Sequence, residues 1–251
     1  HKGLIKDSVP LIISFSKASI IPEHLGYYLP EYYEVPYGDD TLLAFSGNPD
    51  FKYLKVCHKK TKNTDQYGIS GDLRKKGHLI QLGTNWYRIQ GFERANEELI
   101  LAAINSQEDT VHPQVGFHAP PFKVKDEITN EWLSSDELKG QYVVLDFWAT
   151  WCQGCIIAMP DLVSFNEETK DLPLKFISVA VHSNKKFFEE LLAKYNLDWS
   201  HVWLKHGGSI TDDYRITGYP MMILIDPKGR VIERSVGIEA IHNALKKDLK
   251  G

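Results

Sequence analysis

Cys152 and Cys155 stand with two residues between them in the stretch DFWATWCQGC, residues 146–155, of a chain that has three cysteines in 251 residues. Thiols at this spacing can hold a metal, staple the chain or exchange disulfides. A structural zinc needs four ligands, usually with a second Cys pair or closely spaced histidines. The sequence has no second Cys pair, and His201 and His206 are the nearest approach to a paired set among ten histidines. A staple across two intervening residues closes too small a loop to restrain much unfolded chain. Disulfide exchange is the chemistry the spacing suits best.

That chemistry needs a strand ending just before Trp151 and a helix starting at Cys152. The apolar run QYVVLDFW supplies the strand, broken by one acid, Asp146, as expected of a strand buried on both faces. A helix is predicted from about Gln153 to about Thr169. Cys152 then lies at the helix N-terminus, where unpaired N–H groups and the macrodipole stabilise a thiolate. Cys155, one turn on, can close a disulfide but is shielded from a substrate. Cys152 is thus the attacking thiol and Cys155 the resolving one.

Around this centre the pattern alternates. LKFISVAVH reads as a second buried strand and KKFFEELLAKY as a helix with Phe187, Leu191, Leu192 and Tyr195 on one face. PMMILID and RVIERSVG read as strands joined by the tight turn DPKG, and IEAIHNALKKDL as a closing helix carrying Ile238, Ile241 and Leu245. This order implies an α/β layer with helices on both faces of a sheet. Trp199 reads as core, and His182, at a strand end near the thiols, has no assigned role.

The first part of the chain differs. Short runs such as PLIISFS, TLLAF, FKYLKVCH, HLIQL, NWYRIQGF and EELILAAI are separated by turn residues, which predicts a mostly β domain. WYRIQGF and ELILAAI read as a hairpin, EYYEVPYGDD as a half-buried sheet edge, and Cys57 as a small buried hydrophobe. VHPQVGFHAPPF, with three prolines, breaks every period and marks the boundary between residues 1–112 and residues 116–251. The net charge of −4 offers no basic field for nucleic acid. No apolar run approaches the roughly 20 residues of a membrane helix. The chain opens on His1 without a leader pattern, as a trimmed or mature exported chain would.

From about residue 116 to 237 the sequence resembles the TlpA/ResA-like branch of the thioredoxin superfamily. The matching pieces are APPF, LSSDELKGQYVVLDFWATWCQGC, AMPDL and YRITGYPMMILIDPKGRVI. The resemblance implies an α/β thioredoxin-like fold after the mostly β N-terminal domain, whose role it leaves open. It implies a thiol–disulfide oxidoreductase with no cofactor beyond a redox-active Cys152–Cys155 disulfide and no metal. Its partners would be protein thiols and disulfides and an upstream redox protein. Such proteins are exported to, or tethered in, the bacterial cell envelope or periplasm. Trp151 matches the tryptophan before the pair, Pro160 the proline that kinks the helix, and Pro220 the cis-proline that faces the disulfide. The backbone of Tyr219 then lies where a client strand docks. Asp146 matches the buried aspartate of thioredoxin, which would relay the proton that Cys155 must lose. Its other reading is an ordinary hydrogen-bonded acid near a strand end.

The sequence departs from the family at three places. Gln153-Gly154 lacks the usual proline before the second cysteine, IIAM replaces the charged residues after it, and Met221 stands where threonine often follows the cis-proline. A non-catalytic module that binds a partner, or a copper or zinc ion, through the same cysteines is the alternative. A peroxidase would need a lone peroxidatic cysteine and fits the pair poorly.

Overall fold

A computed structural model of the chain describes the strands between residues 11 and 106, a few residues beside them, and residues 110–250 without interruption. Two compact units result, His1–Ser106 and Gln107–Gly251.

Every described element of the first unit is a strand. Strands β1 (Leu11–Ser14), β2 (Ser16–Lys17), β3 (Tyr32–Tyr37), β4 (Asp40–Ser46), β5 (Leu54–His58), β6 (Leu79–Leu82), β7 (Asn85–Glu93) and β8 (Glu98–Ala103) form two antiparallel sheets. Their orders are β1-β8-β7-β6 and β2-β3-β4-β5. The predicted hairpin is present as β7 and β8. Tyr87 and Ile89, two apart on β7, are both buried, as is Leu101 opposite Ile89. The EYYEVPY stretch is not a free edge. β3 pairs with β4 along its length, while β2 bonds its Tyr33–Glu34 side. Cys57 lies on β5 opposite Leu43 of β4, and its side chain falls outside the described residues.

The second unit opens with the proline-rich stretch. His112 N–H donates to His118 O, Gly116 N–H to Val231 O, and Val231 N–H to Phe117 O, so the stretch runs beside a strand and carries the fully buried Phe117. A short hairpin follows, β9 (Lys123–Lys125) and β10 (Trp132–Ser134). The main sheet is built from β11 (Tyr142–Trp148), β12 (Leu174–Val181), β13 (Ser200–Leu204), β14 (Met221–Ile225) and β15 (Val231–Ser235), in the order β13-β12-β11-β14-β15. β11, β12 and β13 are parallel, β14 runs against β11, and β15 runs against β14. All seven residues of β11 are buried, which the apolar run predicts and a central parallel strand requires.

Helices α1 (Gln153–Ile157), α2 (Met159–Thr169), α3 (Lys185–Tyr195), α4 (Ser209–Asp213) and α5 (Ile238–Asp248) cover the sheet. Met159, Leu162 and Phe165 of α2, Phe188 and Leu191 of α3, and Ile241 and Leu245 of α5 share one core with Val144, Phe176 and Leu224 of the sheet. Ile210 of α4, Tyr214 and the hairpin's Val124 close the other face over Leu145, Ile177 and Ile223. This is the thioredoxin-like α/β arrangement the sequence implies.

Two expectations are corrected. The helix predicted from Gln153 to Thr169 is broken at Ala158. Pro160 has no N–H for the carbonyl one turn back, so the ladder stops and restarts with the proline in the first turn of α2. In α3 the buried face is set by Phe188 (1% exposed), whereas Phe187 is 42% exposed. Phe188, Leu191, Leu192 and Tyr195 keep helical spacing, so a one-residue rotation of the predicted face accounts for the difference. Asn184 caps this helix by accepting from Phe187 N–H, which fixes where the first turn begins.

We expect residues 107–251, expressed alone, to unfold cooperatively and to keep a disulfide that a dithiol opens and an oxidant closes. Denaturant melts and thiol counting check this. An insoluble fragment, or one whose pair no longer closes, would show that the first unit completes the core.

Candidate active site

Strand β11 delivers the chain from the dry interior to the thiols within a few residues. After Trp148 the backbone turns through Ala149, Thr150 and Trp151, and Cys152 caps α1. Two side chains fasten this turn to the loop after β12. Ser183 Oγ accepts from Thr150 N–H at 3.0 Å, and Thr150 Oγ1 accepts from Asn184 N–H at 3.1 Å. Trp151 Nε1–H donates to His182 O at 3.1 Å, and Trp203 Nε1–H to Ser183 O at 3.0 Å. These bonds hold two loops that are distant in sequence as one rim. His182, left unassigned by the sequence, contributes a backbone carbonyl, with φ at 49°.

Cys152 and Cys155 are joined as a disulfide with Cα atoms 5.3 Å apart. Cys152 Sγ accepts from Cys155 N–H at 3.2 Å, so the third amide of α1 points at the sulfur that becomes a thiolate on reduction. α1 has five residues, and the break at Ala158 ends it. Of the N–H groups and macrodipole that the sequence reading invoked, the Cys155 amide is the one at hydrogen-bond distance from the sulfur, and the dipole effect falls off within a turn. Cys152 is 8% exposed and Cys155 4%. Cys152 sits at the rim, and Cys155 faces inward.

Opposite the pair, the Tyr219–Pro220 peptide is cis. Trp151 is 64% exposed, and its ring meets Tyr219 edge-on at 5.7 Å. Trp151 and Tyr219 thus touch, and Pro220 lines the same cavity as Cys155. Ile157 is also exposed.

Beneath the pair lies a small cavity lined by Asp146, Cys155, Ser178, Trp199, Pro220 and their apolar neighbours. It admits the centre of a water-sized sphere through about 10 Å³, the room of a single water. Asp146 is buried, and its Oδ2 accepts from Ser178 Oγ–H at 2.9 Å. Ser178 Oγ in turn accepts from Trp199 Nε1–H at 2.9 Å. Burial pushes the Asp146 carboxyl from its ordinary 3.8 up to about 7, against the opposing pull of the Ser178 bond.

Sequence reasoning missed Ser178 and read Trp199 as plain core. A signal for Ser178 was present, since it is the polar residue inside the apolar FISVAV run. That it stands opposite Asp146 is set by the sheet register. His201 and His206 do not form a pair. His201 is buried against Phe188 and Trp199, and His206 is exposed. Among the described residues no three His, Cys, Asp or Glu side chains gather as a metal site would require.

Residues 140–231 match a family model described as thioredoxin-like. The thioredoxin-like protein YneN of Bacillus subtilis is 33% identical over 127 residues, which cover 49% of this chain and 72% of that protein. The thiol-disulfide oxidoreductase ResA of Oceanobacillus iheyensis is 28% identical over 132 residues, 51% of this chain and 68% of that protein. A solved thiol-disulfide oxidoreductase from Bacteroides fragilis aligns with a TM-score of 0.47 at 27% identity, covering 52% of this chain and 98% of that one. The chain belongs to the ResA-like group of the thioredoxin superfamily, through its C-terminal part.

The raised Asp146 carboxyl predicts a pH-dependent stability. Below about pH 4 it is protonated folded and unfolded alike, so it contributes no pH dependence. Between about pH 4 and about pH 7 the unfolded chain releases the proton and the folded chain keeps it, so stability falls across that window and levels off above it. Asp146→Asn should therefore gain on the wild type by a few kcal/mol between those limits. Urea melts of both proteins at the two pH values measure it. An equal difference at both would mean that the carboxyl titrates alike folded and unfolded.

Proposed function

We propose that this chain, a thiol–disulfide oxidoreductase, exchanges disulfides with protein clients through Cys152, with Cys155 resolving and Asp146 handling the proton. The observation that carries the reading is the Cys152–Cys155 disulfide placed between an exposed aromatic rim and a buried carboxylate.

In the reduced protein the Cys152 thiolate attacks one sulfur of a client disulfide. A bond forms between Cys152 Sγ and that sulfur, the client S–S bond breaks, and the other client sulfur leaves as a thiolate. Cys155 then gives its proton to the Asp146 carboxylate, directly or through the one water the cavity can hold, and attacks Cys152 Sγ. The mixed disulfide breaks, the second client sulfur leaves as a thiolate that can take the proton held by Asp146, and the Cys152–Cys155 bond closes. The client gains two electrons and the protein loses two. A dithiol protein upstream restores the reduced pair by the same steps in reverse, and net direction follows the potentials of the three couples. A carboxyl brought to about 7 is suited to this duty near neutral pH, because an acid–base group works best when its pKa lies near the working pH.

Trp151, Tyr219 and Pro220 form the docking side. The backbone at Tyr219 offers hydrogen-bonding groups to an extended client segment, and the exposed faces of Trp151 and Ile157 favour apolar residues beside the client cysteine. The protein works in the cell envelope, an oxidising compartment where client disulfides form and persist. Support for this placement comes from the resemblance to envelope proteins. Among the described residues no helix is long and apolar enough to cross a membrane.

Two measurements test the roles. In the reduced protein Cys152 should alkylate at least about tenfold faster than Cys155 at neutral pH, given its amide contact and rim position. Cys155→Ser should accumulate mixed disulfides with clients, and Cys152→Ser should accumulate none. Faster alkylation at Cys155, or trapping by the Cys152 variant, would reverse the assignment.

A further inference from the structure

Register across the main sheet explains how the buried polar groups meet. Asp146 of β11 stands opposite Ser178 of β12, and Ser178 opposite His201 of β13. Asp146 also stands opposite Met222 of β14. Directly opposed residues project from the same face of a sheet, so this row lies on the face covered by α1, α2, α3 and α5, where Cys155 is. Trp199 reaches the row from the turn before β13. Its ring stacks on Phe176 at 4.8 Å and 10°, which fixes where Nε1–H points.

The direction of the bonds follows from what each group can do. An indole N–H only donates. Ser178 Oγ must therefore accept from Trp199, and its single hydrogen is left for Asp146 Oδ2. The Ser178 hydroxyl alone donates to the carboxylate and favours its charged form, and the Trp199 indole orients that hydroxyl. The Ser178 bond occupies Oδ2, on the side of Asp146 that faces β12. Asp146, Ser178, Trp199 and Cys155 all line the same cavity.

We propose that Ser178 and Trp199 are positioning residues for the resolving step, holding Asp146 by Oδ2 so that Oδ1 takes the proton of Cys155. This rests on the reading of Asp146 as the proton acceptor. The Ser178 hydroxyl is the group that restrains the upward push of burial on the Asp146 carboxyl. Without it the carboxyl ionises at higher pH, and the resolving step loses its base in the neutral range. Among the described residues lining the cavity, Asp146 and Cys155 are the titratable ones. His201, next in the row, is held neutral above about pH 4 by burial and adds no titration in the working range. His242 of α5 lies on Phe165 and pairs with Glu168 of α2, away from the cavity lining.

The test follows decay of the mixed disulfide between the reduced chain, residues 1–251, and a disulfide-bonded peptide, by acid quench and mass spectrometry from about pH 5 to about pH 9. Ser178→Ala should move the acid limb of the rate profile up by about one pH unit. Ser178→Thr should bring it back, and Trp199→Phe, which keeps the stacked ring, should move it the same way by less. A Ser178→Ala rate lowered equally at every pH, with the limb unmoved, would overturn the proposal and leave Ser178 a structural residue. If that variant does not fold, Trp199→Phe decides by the same displacement. Asp146→Asn separates the two levels. Loss of the limb in Asp146→Asn with an unmoved limb in Ser178→Ala overturns the positioning role alone. A limb retained in Asp146→Asn overturns the acceptor reading and this proposal with it.

Discussion

Burial of the whole of β11 is the constraint from which the site follows. A strand with no exposed residue must satisfy any polar side chain from inside the protein, because bulk solvent does not reach it. Asp146 is the one charged-type residue in that strand, and its Oδ2 finds the Ser178 hydroxyl on the next strand. Burial that complete raises the carboxyl toward neutrality at pH 7, and the bond to Ser178 offsets part of that rise. An acid tuned in this way costs stability in the ionised form, and such costs persist in proteins mostly where the group has work to do.

The rim is assembled by the same sheet. β11 and β12 are parallel, so the loops that leave them emerge at one end, and β14, running the other way, begins at that end. Cys152 follows β11, His182 to Asn184 follow β12, and Tyr219 and Pro220 precede β14. The meeting of three loops at the carboxyl ends of parallel strands is a usual place for function in α/β folds. Thr150, Ser183 and the Trp151 indole then hold the first two loops together by hydrogen bonds that leave the sulfurs free.

Cysteine chemistry in this setting depends on short-range groups. The amide of Cys155 lies against Cys152 Sγ, while the helix behind it ends after five residues at Ala158. The long helix that continues from Met159 supplies core instead, through Met159, Leu162 and Phe165. The apolar IIAM stretch is consistent with this division. Ile157 is left exposed at the rim, and Cys155 and Met159 are turned into the core.

The sequence alone determined much of this protein. The spacing of Cys152 and Cys155, the apolar runs of β11, β12 and β14 and the turn chemistry of DPKG are local patterns, and local patterns are legible because helix and strand periods are short. They placed the thiols at a helix start and made Asp146 conspicuous as an acid in a buried run. The tertiary structure decided what pairing and packing decide. Sheet register set Ser178 beside Asp146, and a side chain from before β13 brought the Trp199 indole to it. Phe188 faces inward where Phe187 was expected, because the cap at Asn184 and the shape of the facing core choose among rotations that the spacing alone allows. A strand's sequence states which of its residues alternate but not which strand lies opposite or in what register. That is why Asp146 could be read from the sequence, and its donor Ser178 and the Trp199 indole behind that donor could not.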